Sequence, residues 1–103
     1  MPISIHSDNF TIDNYKDIIT FLWSVRTKWR YIGVALGMDV ETLNEIEKSR
    51  LFIVADCFTD LISRWLQHTV PYPTRTALAI ALQSPLVEAP NLAQKLLSIG
   101  MIL

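Results

Sequence analysis

Between residues 28 and 65 the apolar side chains recur every three or four positions. Trp29, Ile32 and Leu36 form a first stripe, Leu43 and Ile46 a second, and Leu61, Trp65 and Leu66 a third. This spacing gathers them on one side of an α-helix but scatters them over both faces of a strand. The segment is therefore restricted to helices that share a core. Leu36-Gly37 marks a break, because glycine reaches the left-handed conformation that closes a helix at its C′ position.

The same period extends in both directions. Ile12, Tyr15, Ile18, Ile19, Leu22 and Trp23 predict a first helix, capped by Thr11 and running to about residue 25. Arg26-Thr27-Lys28 reads as a polar break. Trp29, Ile32, Gly33 and Leu36 predict a short second helix. Asp39 is placed to cap a third, with Val40, Leu43 and Ile46 inward and Glu41, Glu45 and Glu47 towards water. A fourth helix sets Cys57, Phe58, Leu61, Ile62, Trp65 and Leu66 opposite Asp56, Asp60 and Arg64. Pro71 and Pro73 close that segment. Leu78, Ala81 and Leu82 mark a fifth helix over 74–83, broken by Ser84-Pro85. Pro90 suits the first turn of a sixth, with Leu92, Ala93, Leu96 and Leu97 inward and Gly100 at its end.

The reading is an all-α bundle of six helices of roughly 8 to 15 residues. Residues 1–10 form an extended arm, 11–100 the bundle and 101–103 an apolar tail. The expected core is Trp23, Trp29, Ile32, Leu36, Leu43, Ile46, Phe58, Leu61, Trp65, Leu78, Leu82 and Leu96. No strand alternation, internal repeat or low-complexity tract interrupts this pattern.

With 103 residues, half of them apolar and 18% charged, the chain has material for one core and for one domain. Nine Lys and Arg against ten Asp and Glu give none of the cationic excess of a phosphate-backbone binder. The single cysteine, Cys57, allows neither an intrachain disulfide nor a thiolate metal cage, and favours a reducing compartment. The first ten residues lack the pattern of a signal peptide, and no apolar run approaches a membrane span. The expectation is a cytoplasmic domain without membrane insertion, of a size that fits one module of a larger chain.

No constellation for chemistry stands out. His6 and His68 have no nucleophile or carboxylate at a telling spacing, and Cys57 lies on an apolar face. Asp56 and Asp60 form an i, i+4 pair with no further ligand nearby. No glycine-rich phosphate loop is present. Catalytic, cofactor and metal sites are accordingly expected to be absent.

Two relationships compete for the function. Residues 32–50 are similar to bacterial-repressor helix-turn-helix units, whose second helix enters the major groove. Here that helix would carry Glu41, Glu45 and Glu47 into a field of phosphates, while Lys48 and Arg50 come late. The longer match is to the death domain family. It rests on Trp29-Arg30-Tyr31-Ile32, Leu36-Gly37, Leu43 with Ile46, then Asp56, Leu61 and Trp65-Leu66. Thr74, Leu78, Ala81-Leu82, Leu92-Ala93 and Leu96 continue it, so it covers 12–99. The chain resembles that family in the order and spacing of these residues.

The resemblance implies a six-helix antiparallel Greek-key bundle. It also implies a non-enzymatic module that assembles with other death domains, and with itself, in apoptotic or innate-immune signalling. Arg26, Lys28 and Arg30 cluster at the corner between the first two helices. Glu41, Glu45 and Glu47 load the third helix, and Asp56 and Asp60 the fourth. Opposite charges on separate faces would let one copy dock onto the next. Tyr72 and Arg75, in a stiff proline-bounded loop, offer a second face. Sparse charge relative to the family, and the apolar tail, weigh against docking by charge alone.

Overall fold

Thr11 opens the first helical turn by satisfying backbone donors that a helix start leaves without partners. Its hydroxyl accepts from the Asp13 amide at 3.2 Å, and its own amide donates to Asn14 Oδ1 at 2.9 Å. A short 3-10 turn, Ile12–Asn14, leads into α1, Tyr15–Phe21. A second 3-10 segment, Trp23–Lys28, connects to α2, Trp29–Ala35. Then follow α3 (Val40–Ser49), α4 (Val54–Leu66), α5 (Arg75–Gln83) and α6 (Pro90–Ile99). The computed structural model describes residues 9–68 and 72–99. Among them the chain is all-helical, with one isolated antiparallel bridge, Asn9 to Thr74, and no strand.

α4 is the axis of the bundle. Its apolar residues fall at i, i+1, i+4, i+5, i+8 and i+9, a stripe wide enough to meet several neighbours. Cys57, Phe58, Leu61, Ile62, Trp65 and Leu66 are all buried. They pack against α1, α2, α3 and the second 3-10 segment. α5 and α6 form a hairpin, and α5 leans on α2. α2 comes close to α3 and α4 because Gly33 has no side chain. A Cβ there would lie 2.7 Å from Leu43 Cδ2 and 3.0 Å from Leu61 Cδ1. Trp29, Ile32, Leu43, Ile46, Leu78, Leu82 and Leu96 complete the interior with Phe10, Ile18, Leu22 and Val87.

Several expectations are corrected. The first helix stops at Phe21, not near residue 25, and the supposed polar break is itself wound as 3-10 helix. Ile18 and Leu22, four apart, take the inward positions, and the chain tightens after Leu22. Trp23 is carried to the edge and stays 42% exposed. Only its ring edge reaches the core, against Phe58 with centroids 6.1 Å apart. Leu36, at the C-cap of α2, is half-buried rather than interior. Val40 opens α3 beyond the edge of the core and is exposed, and Met38 is buried in its neighbourhood instead. Leu97 also points outward, because Ala93 and Leu96 face α5. Asp39 stands at the N-cap of α3 but makes no side-chain cap bond. α1 and α2, at seven residues each, are shorter than predicted. Residues 1–8 of the arm, Pro71, Gly100 and the tail 101–103 lie outside the described residues.

Candidate interaction surface

Most of the charges expected to face partners are engaged within the chain. Arg30 reaches from α2 to α3, donating from Nη2 to Asn44 Oδ1 at 3.1 Å and from Nη1 to Glu47 Oε1 at 3.4 Å. Asp60 binds two guanidinium groups, one on each oxygen. Arg50 Nε lies 3.1 Å from Oδ2, and Arg64 Nε 3.1 Å from Oδ1. Arg64 continues the chain to Glu45 Oε1 at 2.8 Å. Burial works against the Arg64 cation, yet its hydrogen bonds to Asp60 and Glu45 prevail and push the group up. These contacts cover Asp60, whose side chain retains 10% exposure.

The basic corner is dispersed in the same way. Arg26 stacks over Trp23 at 4.5 Å and donates to the Trp23 carbonyl at 2.8 Å. Lys28 Nζ donates to the Val87 carbonyl at 2.7 Å, tying the corner to the loop between α5 and α6. Arg75 donates to the Leu96 carbonyl at 3.2 Å and covers the Phe10 ring at 5.4 Å. Glu41 and Asp56 are exposed and, among the described residues, form no ion pair. Tyr72 is also exposed, while the adjoining Pro73 is buried and accepts the Phe10 amide at 2.8 Å.

What remains conspicuous outside is apolar. The turn from α3 to α4 carries Leu51, Phe52, Ile53 and Val54, which are 75%, 66%, 50% and 39% exposed. The turn is also strained. Leu51 has φ 54° and Phe52 φ 63°, in the left-handed region that bulky residues avoid.

A Schellman closure of α3 places Leu51 there, and a tight turn closed by the Ile53 amide on the Arg50 carbonyl at 3.0 Å encloses Phe52. The Leu51 amide donates to the Lys48 carbonyl at 3.2 Å, and the Phe52 amide to the Glu47 carbonyl at 2.9 Å. α2 closes by the same pair of bonds, Gly37 to Val34 at 3.0 Å and Met38 to Gly33 at 2.9 Å. There the C′ position, φ 85°, is occupied by glycine, as the sequence indicated. One molecule thus uses the motif twice, once relaxed with Gly37 and once strained with Leu51.

The sequence reading passed over this turn. Its signal was present: three consecutive apolar residues between two helices and a fourth at the start of α4, with no Gly, Pro, Asn or Asp to make a conventional turn. Other exposed apolar residues, among them Tyr31 and Val34 on α2 and Ile80 on α5, lie elsewhere on the surface.

Two further observations bound the chemistry. Among the described residues no group of three or more His, Cys, Asp or Glu is placed to hold a metal ion. None of the helices is long and apolar enough to cross a membrane. Cys57 is buried, its Sγ 4.0 Å from the Ile46 carbonyl. Burial, helped by the Glu47, Asp56 and Asp60 carboxylates, pushes its thiol up. The native state therefore holds the thiol proton more tightly than the unfolded chain. That contribution to stability is fully present below the ordinary thiol range and is lost as pH rises from there through the raised native value. A disulfide reagent at pH 8 is expected to leave Cys57 unmodified until denaturant is added; immediate stoichiometric reaction in buffer would place it at the surface.

No family model, no curated protein and no solved structure matches this chain.

Proposed function

We propose that the chain is a death-domain-like, Greek-key interaction module without enzymatic activity, and that it assembles with further copies of itself. The helix order and the death-domain spacing of the sequence support this reading. The observation that carries it is the α3–α4 turn, where the molecule tolerates two left-handed bulky residues and exposes both. Such strain is stored where function requires it, since a small or polar turn would satisfy the fold alone. The sequence suggested docking through charge. The internal engagement of Arg30, Glu45, Glu47 and Asp60 instead favours contacts led by apolar side chains, with charge at the rim. Cytoplasmic signalling of the apoptotic or innate-immune kind fits a module of this design. The carboxylates of α3 give the DNA-binding alternative no support.

The test is sedimentation of the purified domain over a wide concentration range. The expected result is concentration-dependent self-association that persists in about 1 M salt, where charges are screened within about 3 Å. A strictly monomeric chain at every concentration would overturn the proposal.

A further inference from the structure

The strained turn raises the question of what keeps it in place. Three backbone hydrogen bonds close it, the two Schellman bonds that also close α2 without strain at Gly37 and a third from the Ile53 amide to the Arg50 carbonyl at 3.0 Å, and the left-handed Leu51 and Phe52 strain against all three. The residue immediately before them is Arg50, the C-cap of α3. Its Nε is bound by Asp60, one and a half turns into α4. Asp60 is fixed in turn, because its other oxygen holds Arg64, and Arg64 reaches back to Glu45 on α3. The two helices that flank the turn are thus joined by a run of four side chains, Arg50, Asp60, Arg64 and Glu45, in which Asp60 is the most covered. Arg50 is half exposed and lines an open polar cleft with Tyr15, Asp56, Thr59 and Ser63, so solvent ions reach the pair.

We infer that Asp60 is the latch of the apolar turn: through Arg50 it holds Leu51 and Phe52 in their left-handed, outward-facing conformation. Asp60 is only 10% exposed, so added salt weakens the latch in part and the turn stays presented at high ionic strength. When the Asp60–Arg50 link is lost, the strain favours relaxation towards ordinary φ values, and the Phe52 amide leaves the Glu47 carbonyl. The bundle beneath is held by α4 packing and persists. The consequence for association rests on the reading above, whereas the latch itself concerns the single chain.

The test is amide hydrogen exchange of the monomeric domain, wild type against Asp60→Asn, which keeps the shape of the side chain but removes its charge. Exchange at Leu51, Phe52 and Ile53 is expected to rise roughly tenfold, the loss of a charge-assisted hydrogen bond, with interior amides of α4 near their wild-type rates. Asp60→Asn combined with Leu51→Gly separates strain from general damage, because glycine removes the tendency to relax. Protection at Phe52 should return in the double variant. Unchanged exchange at the turn in Asp60→Asn, a uniform rise over α3 and α4, or failure of Leu51→Gly to restore protection would each overturn the latch. Sedimentation of the same proteins reads the association separately, so a latch without self-association and self-association without a latch are distinguishable results.

Discussion

Replacing Trp65 with alanine is expected to cost about 3 to 5 kcal/mol, a large share of the roughly 5 to 15 kcal/mol that stabilises a domain of this kind. Trp65 is 3% exposed at the end of the α4 stripe. Its ring meets Phe10 edge to face, with centroids 6.1 Å apart and planes inclined by 66°. Phe10 is itself buried, and its amide binds the Pro73 carbonyl. Arg75 closes over the outer side of the Phe10 ring. Truncation therefore opens a cavity and also loosens the closure of the N-terminal segment onto the start of α5. Urea denaturation gives the measurement. A variant as stable as wild type within about 0.5 kcal/mol would mean that Trp65 does not anchor the core.

The opposite sign is expected at Leu51. A left-handed conformation costs a non-glycine residue about 1 to 2 kcal/mol, and glycine is free of that cost. Part of the gain is offset because glycine makes the unfolded chain more flexible. Leu51 is three-quarters exposed, so its side chain contributes little packing within the monomer. Leu51→Gly should thus stabilise the monomer by about 1 kcal/mol and raise its melting temperature by roughly 4 to 8 °C, as expected for a domain of about 100 residues. Few surface substitutions stabilise a protein by removing an apolar side chain. Here the conformation of Gly37, in the same hydrogen-bonded motif, supplies the internal reference.

How much of this was legible in the sequence varies from element to element, for physical reasons. α4 could be read residue by residue, since every position of its stripe is decided by burial against several neighbours. The Gly37 closure was equally legible, because only glycine reaches φ 85° without cost. The first helix misled because Trp23 sits at the margin of its stripe. A change from α to 3-10 winding, which leaves no mark in the apolar spacing, turned it outward. Val40 and Leu97 misled similarly: a periodic pattern does not say how far along a helix its partner extends.

The surface was the least legible part. Arg30, Glu45, Glu47 and Asp60 could be read only as charges available for docking, because their pairings span 4 to 19 positions and depend on how the helices cross. The α3–α4 turn was missed because its residues are apolar, and apolar residues are read first as core. What makes them notable is a backbone conformation set by the Schellman closure of α3 at Leu51 and by the turn from Arg50 to Ile53 at Phe52, not by residues that favour it.

The exposed Leu51 and Phe52 are where association is tested. The most direct measurement is the self-association constant of Leu51→Gly beside that of wild type, by sedimentation equilibrium, with both proteins shown to be folded. The account predicts a monomer at least as stable as wild type whose self-association is weakened by about tenfold or more, the loss of one buried leucine side chain at a contact. Undiminished association of the glycine variant would contradict it.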